Sequence, residues 1–344
     1  MDNSFQFKKM GFVDKNMIPY LHSVVILIPV FNDWESLFIL LKNLDDFLSK
    51  LDIKVSVVIV DDASTVVSVS SWFTNGWKCI DSLLVVELKR NLGSQRAIAI
   101  GLAYIEANIS CDAVVVMDGD GEDKPEDVSR LIEKCCEEKL KKVVFAYRRK
   151  RSESQQFKIF YLIYKKVFQL LTGRQIRFGN FSIVPRRSLN RLVAVAEIWN
   201  HYASGVIRSR LQYSEIVTDR GERITGESKM NFTALVTHGL SSLSVYSDVI
   251  GTRLLLFSLI LILVGFILVT IVISIKLFTN LAIPGWSTFT IGLLCLFILQ
   301  TMTISLLLMF IVLGSRSLYT TLPCRDYQSY IIQSYNLYSE VSHV

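Results

Sequence analysis

The 344-residue chain has six cysteines, Cys79, Cys111, Cys135, Cys136, Cys295 and Cys324, but no C-x-x-C pair. Without that spacing a zinc framework has no footing, and with one cysteine inside an apolar run the set reads as reduced, structural thiols of a cytoplasmic domain. The amino terminus, MDNSFQFKKM, lacks the apolar stretch that a signal peptide needs. No internal repeat and no low-complexity linker occurs. The net charge of +6 is mild, and no nucleic-acid motif accompanies its most basic run, RRKR at 148–151. Nucleic acid is therefore not expected as a partner, whereas anionic lipid or phosphate suits that run.

Two stretches lack charge altogether. Residues 254–275, LLLFSLILILVGFILVTIVISI, and 287–313, STFTIGLLCLFILQTMTISLLLMFIVL, contain no ionisable acid or base. Each exceeds the ~20 residues that span a bilayer as a helix. Core helices of a soluble protein are also apolar, but two uncharged runs of this length at one end of a chain are rare there. The short link at 276–286 makes the pair a hairpin, with both flanks on one side. Arg253 before it and Arg316 and Arg325 after it assign that side to the cytoplasm by the positive-inside tendency, which Lys276 weakens without reversing. The expected location is the plasma membrane, multi-pass, with both termini and the preceding domain cytoplasmic.

The first half alternates β-branched runs with helical patterns, as mostly parallel Rossmann-like sheets do. SVVILIPVF at 23–31 is a first strand, and 35–48 a helix. KVSVVIVDDAS at 54–64 is a second strand and SLLVVEL at 82–88 a third, followed by KRNLGSQRAIAIGLAYIEA, whose Gly93 and Ser94 open a helix. AVVVMDGD is a fourth strand, Pro125 suits the first turn of the next helix, and KKVVFAY at 141–147 is a fifth. A helical stretch at 157–172 and a break at Gly179 and Asn180 follow, then a mixed region to about 219. Residues 226–253 show helical periodicity, which fits amphipathic helices in the membrane interface and also a soluble amphipathic helix. The expected organisation is a domain at 1–225, juxtamembrane helices at 226–253, two spans at 254–313 and a tail at 314–344.

Polar and acidic residues recur where strands stop, and open α/β sheets bind ligands at the carboxyl ends of strands. At the fourth strand Asp118, Asp120, Glu122, Asp123 and Glu126 crowd together. Such a cluster repels itself unless it takes up protons or a cation. Carboxylate oxygens suit Mg²⁺ or Mn²⁺, which share their shell with water and substrate phosphates. A D-x-D tripeptide is usually a solvated acidic loop; here Asp61 and Asp62 end another strand, and Arg148, Arg151, Arg223 and Lys229 lie downstream. A metal on carboxylates and converging cations together hold a diphosphate and stabilise a departing one.

ILIPVFND, VVIVDDAS, LKRNLGSQRAIAIGL, VVVMDGDGEDKPED and RITGESKM occur in that order. Together they resemble the inverting family 2 glycosyltransferases, in the branch of dolichyl-phosphate mannose synthase and bacterial polyprenyl-phosphate sugar transferases. The resemblance covers residue 23 to about 313. It implies an α/β GT-A fold, a UDP- or GDP-linked sugar donor, Mg²⁺ or Mn²⁺, a polyprenyl-phosphate or lipid-linked glycan acceptor at the membrane, and hairpins able to pack between subunits of a homo-oligomer. Carried over by position, Pro29, Asn32 and Asp33 match a loop that contacts the nucleotide base, where the family often has Asn-Glu. Asp61 and Asp62 match a pair of which one reads the base or ribose, and Asn91 and Gly93 fall in the substrate-binding loop after the third strand. Asp118 and Asp120 match the metal-binding pair, and Glu122 stands where relatives often carry a Gln beside the metal. Arg148 matches the arginine of a loop over the donor, with Arg151 close by. Arg223 and Lys229 match the arginine and lysine that grip the diphosphate.

Three departures stand out: Ala63 replaces the Gly usual in D-D-G-S, FGNFSIVPR at 178–186 replaces an acidic residue followed by G-F-R, and MFIVLGSRSLY ends the second span. With an anionic lipid phosphate as acceptor, no strong base is required and cations position the acceptor. With a sugar hydroxyl, a carboxylate acts as base, for which Asp123, Glu197 and Asp219 are candidates. Three functions remain open: transfer to polyprenyl phosphate, transfer to a hydroxyl of a lipid-linked or surface glycan, and a catalytically silent membrane scaffold.

Overall fold

A computed structural model describes residues 21–66, 72–73, 76–148, 155–174, 178–219, 221, 223–225, 232–279, 283, 285–317 and 321–339. The chain divides into two compact units, one of 1–155, 177–245 and 321–344 and the other of 156–176 and 246–320.

The first unit is an eight-stranded, mostly parallel sheet. Its strands are β1 (Ser23–Val30), β2 (Lys54–Asp61), β3 (Ile80–Leu88), β4 (Ala113–Val116), β5 (Val143–Arg148), β6 (Ser182–Pro185), β7 (Tyr213–Thr218) and β8 (Ile331–Ser339), in the spatial order β7-β5-β6-β4-β1-β2-β3-β8. β1 is parallel to β2 and β4, β2 to β3, and β5 to β7, whereas β6 runs antiparallel to β4 and β5.

The strands read as unbroken apolar runs because helices cover both faces. Val24, Ile26, Ile28 and Val30 of β1 enter one core, with Leu37, Leu40, Leu41 and Leu44 of α1 (Trp34–Leu48) and Val128, Leu131 and Ile132 of α3 (Pro125–Glu137). Val25 and Leu27 enter the other, with Ala97, Ile98 and Leu102 of α2 (Ser94–Asn108). Each buried Leu, Ile or Val contributes ~1.5–3 kcal/mol of transfer free energy. On that face Gly101 lets α2 approach closely, since a Cβ there would lie 2.4 Å from a Leu27 methyl.

The five strands and the first helix expected from sequence are present. β6, β7 and β8 are additional. β8 comes from the segment after the apolar helices and pairs antiparallel with β3, Ser82 opposite Ser339 and Leu88 opposite Ile331.

The second unit contains α4 (Gln155–Thr172), α8 (Ser247–Phe278) and α9 (Trp286–Ser317). Between the second unit's two sequence segments lie α5 (Arg186–Leu192), α6 (Tyr202–Arg208) and α7 (Phe232–Ser244), all in the first unit, as is the short α10 (Pro323–Asp326). α8 and α9 are long and apolar enough to cross a membrane, with mean hydropathies of 3.2 and 2.5 over their best 18-residue windows. They pack antiparallel along a seam of small residues at seven-residue intervals. A Cβ on Gly251 would meet Val312, Ser305 donates to Ser258 Oγ at 2.6 Å, and a Cβ on Gly265 would meet Ile298. At the end of α4, Gly173 adopts φ +73° and Arg253 Nη1 donates to Leu170 O at 2.7 Å, capping that helix. Arg253, read from sequence only as a flanking charge, therefore also has a structural partner.

Candidate active site

β1 and β4 are parallel neighbours, and the chain runs on from β1 to β2 on the opposite side. The order of the sheet thus reverses at the β1/β4 boundary, and such switch points form ligand crevices at the strands' carboxyl ends. Asp33 follows β1, and Asp118 and Asp120 follow β4.

After β4 the Met117 N–H still donates to Leu27 O at 3.1 Å, and then the backbone turns away. The Asp118 N–H donates to Oδ2 of buried Asp123 at 3.1 Å, and Asp120 Oδ1 accepts the Glu122 N–H at 3.0 Å. Gly121 has φ +82°, a conformation that favours glycine. The segment after β7 crosses onto this turn, where Gly221 N–H donates to Glu122 O at 2.9 Å and Ile224 N–H to Asp120 O at 3.0 Å.

That crossing delivers Arg223. Its Nη2 lies 2.9 Å from Asp33 Oδ2, its Nη1 3.5 Å from Asp120 Oδ2, and its Nε donates to Thr225 O at 3.0 Å. Ser36 closes the cluster, donating to Asp33 Oδ1 at 2.6 Å and hydrogen-bonding Thr225 Oγ1. Burial raises the Asp120 carboxyl above the usual carboxylate range, an effect that the Glu122 N–H offsets, that the Glu122 and Asp123 charges reinforce and that Arg223 opposes. A carboxylate so placed gains from a nearby cation.

The residues matched to the nucleotide loops are largely tied to backbone. Asn32, at φ +53°, accepts the N–H groups of Thr65 at 2.8 Å and Val66 at 3.0 Å through Oδ1. Asp62 accepts Leu92 N–H at 2.7 Å and Gly93 N–H at 2.8 Å, one on each oxygen. Burial raises the Asp62 carboxyl, and those two N–H groups oppose the rise. Asp61 Oδ1 accepts Ser64 N–H at 2.9 Å. These side chains tie the loops after β1, β2 and β3 to one another. Pro29 lies within β1 opposite Val60, Asn91 is exposed, and Gly93, at φ +88°, opens α2. Asp33, matched to base contact, pairs with Arg223 beside Asp120. Arg148 ends β5, but its side chain lies outside the described residues, as do Arg151 and Lys229 altogether.

The sequence profile of Glycosyl transferase family 2 matches residues 25–199, just over half of the chain. The chain belongs to that family. It is similar to an uncharacterized glycosyltransferase, YkcC, of Bacillus subtilis (strain 168), 27% identical over 277 residues that make up 76% of this chain and 80% of that one. It is also similar to undecaprenyl-phosphate 4-deoxy-4-formamido-L-arabinose transferases. The one from Klebsiella pneumoniae (strain 342) is 28% identical over 71% of this chain and 77% of its own length. The one from Enterobacter sp. (strain 638) is 27% identical over 67% and 73%. Among solved structures, glucosyl-3-phosphoglycerate synthase of Mycobacterium tuberculosis with Mn²⁺, UDP-glucose and phosphoglyceric acid aligns at a TM-score of 0.51. That alignment has 13% identity and covers 71% of this chain and 86% of that one. The shared fold is GT-A, and the chain is a glycosyltransferase.

For a family 2 glycosyltransferase the question of a metal turns on the donor set. Among the described residues no three His, Cys, Asp or Glu side chains gather into a group that would hold a metal unaided. The trio of Asp118, Asp120 and Glu122 expected from sequence does not form such a group, and the Glu122 N–H donates to Asp120 within the turn. Two carboxylates remain, Asp118 and Asp120, each with a fixed hydrogen-bond partner. That set fits Mg²⁺ or Mn²⁺ of the kind bound by one or two carboxylates plus substrate phosphates and water.

The three candidate bases differ sharply. Asp123 is buried and accepts the Asp118 N–H, Glu197 pairs with Arg208 at 2.8 Å, and Asp219 is exposed just past β7. Residues that sequence reasoning passed over include Ser36 and Thr225, which brace Asp33 and Arg223, and Gln95 and Asn180, behind Asp118. Asn180 was legible only as a break in a pattern.

Proposed function

We propose that this glycosyltransferase moves a sugar, with inversion, from a nucleotide-diphosphate donor to polyprenyl phosphate, with Mg²⁺ or Mn²⁺ at Asp118 and Asp120. The observation that carries the reading is the meeting of Asp33, Asp120 and Arg223 at the β1/β4 switch point. The names of the undecaprenyl-phosphate relatives and the two apolar helices point to the acceptor.

The cation, when bound, supplies charge neutralisation for the donor's diphosphate. Asp118 and Asp120 hold it. Arg223 exchanges its carboxylate partners for diphosphate oxygens, and Lys229 and Arg148 add positive charge as the nucleoside diphosphate departs. The acceptor phosphate is already an anion, so its oxygen attacks the anomeric carbon without losing a proton, and Arg151 helps to hold it. A base is then unnecessary, which agrees with Asp123 and Glu197 being engaged by Asp118 and Arg208. Asn32, Asp61, Asp62, Asn91 and Gly93 shape the nucleoside end of the crevice. The same reading spans the plasma membrane with α8 and α9 and keeps the sheet and both termini in the cytoplasm, on the strength of Arg253, Arg316 and Arg325.

The test is transfer of label from a panel of UDP- and GDP-sugars into organic-extractable lipid, with undecaprenyl phosphate and Mn²⁺ or Mg²⁺ added to membranes containing the protein. A mild-acid-labile lipid product that disappears with Asp120→Asn supports the reading. Label appearing only in an acid-stable glycan contradicts the lipid-phosphate acceptor and favours a hydroxyl.

A further inference from the structure

Behind Asp118 lies a hydrogen-bond relay whose direction is set at its buried end. A backbone N–H can only donate, so the Tyr202 N–H, 2.7 Å from Gln95 Oε1, fixes which end of that amide is oxygen. Gln95 Nε2 then donates to Asn180 Oδ1 at 3.0 Å, and Asn180 must turn its NH₂ to Asp118 Oδ1, 3.4 Å away. Asn180's backbone is held too, its carbonyl accepting the Ser182 hydroxyl at 2.9 Å. Ser182 Oγ lies 2.8 Å from the Tyr202 hydroxyl. With the serine proton on Asn180, the phenol is the donor there; burial pushes that phenol's pKa up, so it keeps its proton.

The fold explains the meeting. β6 runs antiparallel to β4 with Ser182 opposite Val116, so two steps past the ladder Asn180 falls opposite Asp118. Tyr202 is fully buried and Gln95 nearly so, which makes the relay rigid and its polarity costly to reverse.

We propose that Asn180, oriented by Gln95, is a positioning residue that fixes the plane of the Asp118 carboxylate for the divalent cation. The proposal rests on the metal reading above. Gln95→Glu, though one residue removed from the carboxylate, undoes the arrangement. The introduced side chain still accepts the Tyr202 N–H but presents a second acceptor to Asn180, whose amide turns over and offers oxygen to Asp118. Asn180→Ala removes the same donor directly.

The experiment is Mn²⁺ titration of the full-length protein in detergent, following free Mn²⁺ by electron paramagnetic resonance, with Asp120→Asn as control. Loss of a partner that orients a metal ligand typically weakens metal affinity ~10–100-fold. We expect at least ~10-fold weakening in Gln95→Glu and in Asn180→Ala, with the double variant no weaker than either single, because both remove one contact. Asn180→Ala, at a half-buried position, keeps the test open should Gln95→Glu fail to fold. Wild-type affinity in both singles, or losses that simply add, overturns the positioning role while the metal reading stands. No Mn²⁺ binding by the wild type that depends on Asp120 overturns both.

Discussion

Gly121→Ala probes the turn on which the site is built. The residue sits at φ +82°, and a Cβ there would lie 2.4 Å from Ile224 Cγ1 and 2.5 Å from its Cδ1. Left-handed backbone costs a residue with a Cβ ~1–2 kcal/mol, and forcing carbon into an occupied volume costs a further ~1–3 kcal/mol. Ile224 cannot simply withdraw, since its N–H is bound to Asp120 O and its side chain packs on the α1/α3 core. The total, ~2–5 kcal/mol, should lower the melting temperature of the detergent-solubilised protein by at least ~4 °C at ~2–4 °C per kcal/mol. If the crossing segment detaches instead, Arg223 leaves Asp120 and donor affinity falls. Ile224→Ala removes the overlap but not the left-handed strain. Gly121→Ala with Ile224→Ala should therefore be less damaged than the sum of the singles by ~1–3 kcal/mol. Unchanged melting and donor binding in the single variant, or strict additivity, would refute this reasoning.

Other outcomes follow from the same geometry. Ala63 occupies φ +59°, a left-handed conformation that glycine adopts without strain, so Ala63→Gly should stabilise the protein by about 1 kcal/mol and raise its melting temperature; a lower one contradicts the strain. Asp62→Ala orphans the Leu92 and Gly93 N–H groups and should cost ~2–6 kcal/mol, at ~1–3 kcal/mol for each. Asp62→Asn, which keeps one acceptor, should cost less, and equal melting temperatures for the two variants would argue against the paired bonds. Burial pushes the Cys79 and Cys135 thiols up to about 12. Both stay protonated at pH 8, so iodoacetamide read out by mass spectrometry should label exposed Cys324 and spare those two until the protein unfolds.

Much of this architecture was legible because it rests on local signals. β1, β2 and β4 are apolar runs ending in acids, and α8 and α9 contain the uncharged runs entire. The parts that escaped depend on distant partners. β8, with the sequence IIQSYNLYS, alternates aromatic and polar residues only weakly and is ordered by β3, some 250 residues upstream. β6 is only four residues long, too short for a period, yet its register brings Asn180 to Asp118. Asp33 was plain as a motif residue, whereas the Arg223 that the chain crossing from β7 brings to it was not, because no spacing within either motif announces that pairing. The effect of Ala63 depends on the sign of one φ angle, which no residue name encodes. Asp62 shows the reverse case: its place at a strand end was plain, and only the structure reveals that two backbone N–H groups occupy it.

The most direct test of the account is binding of UDP and GDP to the full-length protein by calorimetry, with Mn²⁺ and with EDTA, in the wild type and in Asp120→Asn. The account predicts that one of the two nucleotides binds only with Mn²⁺ and that Asp120→Asn abolishes this binding. Equal affinity in EDTA, or undiminished Mn²⁺-dependent binding by the variant, would contradict it.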